Sequence, residues 1–310
     1  MSYLTDRKIV VITKKTRADE LIKRFNNLTQ AAFYVEKMGG DIREYIEESK
    51  VYKGSVSTLI INLQDIGRVQ LLDREYVPSF MFNDDDIVVV IGQDGLVVNT
   101  LKYLNGQPLI AVNPDPARYD GVLLPFYTSD LTRIIREVLA NLRPIKEITM
   151  AVAQLNDGQN LLAVNDFFIG RKTHVSARYN IKINGVGENQ SSSGIIVSTG
   201  LGSTGWFKSV IAGVRGIAQM IAGYDVSPKI DLPKWDDSFL YYSVREPFPS
   251  NTTGANLVFG KIIDSPLEII SYMPENGVIF SDGIEEDFLQ FNSGITAKIS
   301  VASKKGYLIV

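Results

Sequence analysis

Asp84-Asp85-Asp86-Ile87-Val88-Val89-Val90-Ile91-Gly92-Gln93-Asp94-Gly95, continued by Leu96-Val97-Val98-Asn99-Thr100-Leu101-Lys102-Tyr103-Leu104, is the stretch on which the fold turns. Ile87–Ile91 is an unbroken β-branched run between charge and glycine, the pattern of a strand buried on both faces of a parallel sheet. After Gly95 the apolar period changes, and Val97, Val98, Leu101 and Leu104 fall at helical spacing. The segment therefore predicts strand, tight turn, helix. In open α/β sheets ligands bind where strand C-termini meet helix N-termini, and such an N-terminus favours phosphate. Asp94 is the one ionisable side chain in that turn, so it falls where a phosphate or ribose would sit. A plain crossover loop has the same outline, and the acid is what tilts the reading toward function.

Outward from this stretch, composition narrows the chemistry. The 310 residues suffice for two domains with real cores. No apolar run approaches the roughly 20 residues of a membrane helix. A first strand reached by Ile9 leaves no room for a targeting peptide, so a cytoplasmic location and no membrane partner are expected. There is no cysteine and a single histidine, His174, which excludes disulfides, thiol catalysis and poly-histidine zinc sites. The net charge of -3 argues against nucleic acid as the main partner. Carboxylates, Lys/Arg and backbone amides, with Mg²⁺, suit phosphoryl transfer, which needs mainly positioning and charge stabilisation.

Lys8–Thr13 reads as the first strand and Thr16–Met38 as mostly helical, closed by Gly39-Gly40. Asp41–Glu48 and Val56–Leu63 read as short helices, Val69–Leu72 and Pro108–Val112 as strands, and Ser129–Leu142 as an amphipathic helix capped by Ser129. Asn113-Pro114-Asp115-Pro116 makes a rigid loop at the same sheet edge as Gly92–Gly95. Strand alternating with helix predicts an α/β N-terminal domain, a Rossmann-like parallel sheet with flanking helices, over 1–143. From 144 to 310 short strands follow at close spacing, with Ser203–Ile221 the one helical stretch. That predicts a β-rich, sandwich-like C-terminal domain.

Three further motifs stand out. Thr199-Gly200-Leu201-Gly202-Ser203-Thr204-Gly205-Trp206 follows the apolar Ile195–Ser198 and contains G-x-G-x-x-G. As a Rossmann fingerprint it would use Asp225 as the ribose acid, but it lies deep in a β-rich region and no apolar strand leads up to Asp225. Hydroxyls, amides and an aromatic plane suit an adenine instead, and a capped helix with a core Trp is the plain alternative. Asn165-Asp166 interrupts the apolar run Leu161–Phe168, as a site wall would. Ser281-Asp282-Gly283 reads as a hairpin turn, His174 as a surface or strand-edge residue, and Asp84–Asp86 as solvated punctuation.

In this order, Gly92-Gln93-Asp94-Gly95-Leu96, Asn165-Asp166, Gly202-Ser203-Thr204-Gly205-Trp206 and Asp282-Gly283 resemble the motifs of the NAD kinases over roughly residues 8–300. Asn113–Arg118, Val164–Gly170, Ser192-Ser193-Gly194 and Ser243–Pro247 are similar to the mitochondrial-type branch. The resemblance implies the two domains above with a site in the cleft between them, and a homodimer or homotetramer. It implies transfer of a phosphoryl group from ATP or polyphosphate, with Mg²⁺ or another divalent cation, to the adenosine-ribose 2′-hydroxyl of NAD, giving NADP. By position, Asp94 would orient or deprotonate that hydroxyl. Asn165 and Thr204 would bind the adenine side, Asp166 the ribose hydroxyls, and Trp206 the adenine pocket. Gly95, Ser203 and Gly205 join the substrate side, and Gly92, Gln93 and Asn113 the phosphate side. Arg118, Arg245 and Asp282 lie within the matched stretches, and no residue is assigned to metal. Gln93 stands where the family has a second glycine and Leu96 where it has a threonine. From these departures comes the alternative of a nucleotide-binding protein of the same fold that lost or changed donor use. A nicotinamide-dependent oxidoreductase built on Gly200–Gly205 is the third possibility.

Overall fold

The computed structural model describes residues 3–223 and 233–310, and the chain divides into two compact units: 1–146 with 307–310, and 147–306. The first contains β1 (Lys8–Thr13), α1 (Arg17–Phe25), α2 (Leu28–Lys37), α3 (Ile42–Gln64), β2 (Arg68–Asp73), β3 (Ile87–Ile91), α4 (Asp94–Leu101), β4 (Leu109–Asn113), β5 (Phe126–Tyr127) and α5 (Leu131–Leu139). The strands pair in parallel in the order β2-β1-β3-β4-β5, with Ile12 opposite Val90 and Ile91 opposite Val112. Every residue of β3 and β4 is buried, as continuous β-branched runs require. Ile9, Val11, Val89 and Ile110 pack with Leu59 and Leu63 of α3 and Ile134 of α5. Val10, Ile12, Val88 and Leu109 alternate to the other face and are equally buried. The α/β expectation for this part is met.

Local corrections have local causes. The helix expected over Thr16–Met38 is two helices, because Asn26 is left-handed (φ 64°) and the Asn27 side chain caps α2 by accepting the Gln30 N–H. The two short helices expected between Asp41 and Leu63 are one helix, α3, whose length comes from tertiary packing. Ser129 does not cap α5. Asp130 stands at the cap position, and its carboxylate accepts the Tyr127 N–H instead (3.0 Å).

The second unit holds β6 (Ile145–Leu155), β7 (Asn160–Ala163), β8 (Asp166–Arg171), β9 (Ala177–Ile183), β10 (Val186–Ser192), β11 (Ile195–Ser198), α6 (Trp206–Ala222), β12 (Leu240–Val244), β13 (Phe259–Ile262), β14 (Leu267–Ser271), β15 (Gly277–Ser281), β16 (Ile284–Gln290) and β17 (Thr296–Ile309). One antiparallel sheet runs β13-β12-β11-β8-β15-β16; β10-β9-β14-β17, with β6 and β7, belong to the other. Phe167, Ile169, Val197 and Ile279 from the first sheet share a core with Ile181, Ile269, Ala297 and Ile299 from the second. This is the sandwich-like domain expected from strand spacing. The run Leu161–Phe168 is broken at Val164-Asn165, and β10, with almost no apolar residues, is a strand that periodicity does not reveal. β11 runs antiparallel to both neighbours, β8 and β12, so the glycine motif after it lacks the parallel βαβ context of a dinucleotide fingerprint. Asp225, its expected ribose acid, lies outside the described residues.

Candidate functional site

In the first unit the turn after β3 forms as its sequence requires. Gln93 is the extended cap residue of α4, and Asp94 is the helix's first residue. Asp94 is half-buried. Its Oδ1 accepts the Leu123 N–H at 2.9 Å, and among the described residues its Oδ2 has no hydrogen-bond partner. One oxygen thus anchors the loop after β4 while the other is available at a helix N-terminus. Gly95 is exposed, with open space where a side chain would stand. Gly92 has none: a Cβ there would meet Leu96 Cδ2 at 2.8 Å. The buried Leu96 therefore closes down on Gly92.

Asn113 turns inward. Its Oδ1 accepts the Asp115 N–H (3.0 Å) and its Nδ2 donates to the Tyr119 carbonyl (3.0 Å), so it shapes the loop. Arg118 is paired with Glu44 (3.1 Å) and Asp115 (3.5 Å). Tyr119, which the sequence reading did not single out, donates its hydroxyl to Glu48 (3.1 Å) and lies within side-chain hydrogen-bond reach of Gln93. Burial and then the Glu48 charge push its phenol up. Gln93 and Glu48 thus both face the Tyr119 hydroxyl.

The second unit brings the other candidates together. Asp282 and Gly283 are both left-handed (φ 56° and 72°), the backbone of the tight hairpin joining β15 to β16. The hairpin reading of this turn holds, and it has a further consequence. The Asp282 carboxylate accepts the N–H groups of Val164 (3.0 Å) and Asn165 (2.7 Å), while its own N–H donates to the Asp166 carbonyl (3.0 Å). A turn more than 100 residues downstream therefore holds Asn165-Asp166 in place. The Asp166 side chain is buried. Desolvation, and then the Asp282 charge, push its carboxyl up to about 7.

The glycine-rich loop closes on the same pair. The Asn165 carbonyl accepts the Thr199 N–H (2.9 Å), the Thr199 hydroxyl donates to the Val164 carbonyl (2.5 Å), and any side chain at Gly202 would collide with the Asn165 carbonyl. Thr199 is thus a positioning residue that the sequence reading passed over. Ser203 is buried and donates to the Gly200 carbonyl (2.7 Å), so it holds the loop from within. Thr204 is exposed and donates to the Leu201 carbonyl (3.0 Å), leaving its oxygen lone pairs outward. Gly205 is exposed at the cap of α6. Trp206 is not the core residue of that helix; Phe207 is, fully buried. The Trp206 ring stacks on Phe168 (5.9 Å, 12°), Phe168 stacks on Phe280 (5.0 Å), and the Arg245 guanidinium lies over Trp206 at 5.6 Å. These rings, with Arg171, His174 and Ser193, line a cavity of about 440 Å³. The cavity offers flat rings to a planar base, and Asn165, Asp166 and Thr204 are not among the residues that line it.

No helix among the described residues is long and apolar enough to cross a membrane, and none of their side chains form a group of three or more potential metal ligands. Mg²⁺ does not need such a cage in phosphoryl transfer, because it is carried largely by substrate phosphates and its own waters.

The chain matches no protein-family profile and no curated protein. Among solved structures it is similar to the yeast NADH kinase complexed with NADH, at 15% identity and a TM-score of 0.60, over 99% of this chain and 84% of that one. It is similar also to an NAD kinase from Archaeoglobus fulgidus in complex with ATP, at 17% identity and a TM-score of 0.55, over 98% and 93%. An α/β unit followed by an antiparallel β unit, arrived at here from strand order and burial, is thus the two-domain fold of the NAD kinases.

Proposed function

We propose that this chain is an NAD kinase-like phosphotransferase that moves a phosphoryl group from ATP, or polyphosphate, to the adenosine-ribose 2′-hydroxyl of NAD. The observation that carries the reading is Asp94: a carboxylate at a helix N-terminus on the C-terminal edge of a parallel sheet, with one oxygen anchored and one available. A loose phosphoryl-transfer transition state needs little prior deprotonation, so the carboxylate acts chiefly by aiming the hydroxyl. Asn165 and Thr204 supply polar groups for the adenine side, Asp166 a carboxylate for ribose hydroxyls, and Trp206 a flat wall. Asp282, Thr199 and Ser203 hold these groups in position. A divalent cation, when bound, offsets phosphate charge, and the donor's phosphates carry it. Incubation with NAD, ATP and Mg²⁺ is expected to yield NADP. A second reading has its own support: Leu96 covers Gly92, where a second side chain would not fit. A binding protein that lost donor use would bind NAD tightly and form no NADP under any donor.

A further inference from the structure

The edge of the first sheet carries two cations, half-buried Lys14 and exposed Arg74, that no carboxylate contacts directly among the described residues. Strand register sets Thr13 opposite Asp73 and Ile12 opposite Val90, so Lys14, Arg74 and Gly92 follow one another at adjacent strand ends. The Tyr52 hydroxyl ties two of these ends together: it accepts the Lys14 N–H (3.0 Å) and donates to the Ile91 carbonyl (3.0 Å). Nearly every other cation near this edge has a carboxylate. Arg17 pairs with Glu44 and Glu48, Arg118 with Glu44 and Asp115, Lys15 with Glu75, and Lys53 with Asp19. Among the described residues, neither the Lys14 ammonium nor the Arg74 guanidinium makes an ion pair or hydrogen bond.

The ordinary explanation, that Lys14 simply answers Glu48, meets a difficulty. The Glu48 oxygens point elsewhere, Oε2 accepting from Arg17 (2.6 Å) and Oε1 from the Tyr119 hydroxyl (3.1 Å), and neither contacts the Lys14 ammonium. Burial lowers the Lys14 ammonium; the Glu48 charge, next in size, raises it, Arg74 and Arg17 lower it, and Glu20 raises it. The Lys14 ammonium is half-buried, lies near a guanidinium and has no carboxylate in direct contact, a setting that a bound anion would complete.

We infer that Lys14 and Arg74 form the anchor for a phosphate chain, an anion site on the ends of β1 and β2 beside the glycine turn. Lysine contributes a compact point charge and arginine a planar fork, and both suit phosphate oxygens. This rests on the phosphotransferase reading for what the anion is: the chain of phosphates on the donor, held by side chains because Leu96 closes on Gly92 where backbone would otherwise approach them.

Inorganic tripolyphosphate is the probe, titrated calorimetrically without nucleotide into the wild-type chain, Lys14→Gln, Arg74→Gln, the double variant and Lys14→Arg. Each lost charge is expected to weaken binding about tenfold, and Lys14→Arg to retain most of it. In the NADP assay, the KM for donor is expected to rise in both glutamine variants while the KM for NAD holds. Melting curves check folding. Arg74 is exposed, and the Gln and Arg substitutions at Lys14 keep the backbone N–H that Tyr52 uses. Tripolyphosphate binding that is absent from the wild type, or equal in the double variant, overturns the site. Binding that depends on Lys14 and Arg74 in a protein that never makes NADP sustains the anion site and sinks the kinase reading alone.

Discussion

At the scale of single residues, two aspartates divide the work by environment. Asp94→Asn keeps an amide oxygen for the Leu123 N–H, so the loop after β4 should stay in place. It removes the charge that aims a hydroxyl, and turnover is expected to fall by about 10²–10⁴-fold while NAD binding persists. Steady-state kinetics beside a binding titration read both, and near-normal turnover would remove Asp94 from the mechanism. Asp166 is the opposite case. Its carboxyl is pushed up to about 7 in the folded chain, against about 3.9 for a free aspartate. Between those values the folded state holds a proton that the unfolded state has released. The contribution of Asp166 to stability is therefore present below about pH 4 and lost as pH rises through 7. Ribose hydroxyls donate to the ionised form, so NAD affinity should climb over the upper part of the range in which stability declines. Asp166→Asn should flatten both slopes; thermal melts and titrations from pH 5 to 8 would show it. Both aspartates were legible as candidates because each breaks an apolar pattern. The partner that tunes Asp166, Asp282, sits more than 100 residues away, and no local spacing links them.

At the scale of elements, the ends of β1 and β3 are joined by one hydroxyl. Tyr52 is buried on α3 and its phenol is pushed up to about 12 by desolvation, so it stays protonated and bridges Lys14 N–H to Ile91 C=O. Tyr52→Phe leaves a backbone donor and acceptor without that partner, at a cost of about 2 kcal/mol. Urea unfolding should report the loss, together with weaker tripolyphosphate binding if the strand ends carry the anion site. Unchanged stability would show that water or a shift of the strand ends replaces the bridge. The helix that supplies Tyr52 was readable only in pieces, as Asp41–Glu48 and Val56–Leu63. Its middle turns have no clear apolar stripe and are stabilised by the sheet they cover. The break between α1 and α2, by contrast, is local: Asn26 and Asn27 carry it, but an Asn-Asn pair inside an apolar period does not announce itself as a cap.

At the scale of the whole molecule, the chain's last residues return to its first unit. Leu308 pairs with Leu109 of β4, the Val310 N–H donates to the Pro144 carbonyl, and Leu308 and Ile309 are almost wholly buried. Deleting 307–310 exposes the flank of β4 and removes two buried side chains worth roughly 1.5–3 kcal/mol each. The first unit should then open to protease well before the second, and equal protection of both would contradict this. What the sequence by itself determined is the order of strand and helix, the sharp turn that carries Asp94, and the change to a β-rich second part. Those features follow from period, chirality and glycine placement, all of which are local. Tertiary structure alone decided that Asp282 holds Asn165-Asp166, that Leu96 covers Gly92, that the Glu48 oxygens accept from Arg17 and Tyr119 and do not contact the Lys14 ammonium, and that 307–310 belong with β4. Each of these is a contact between distant segments, and which atoms are left without a partner is known only once every other atom has found one.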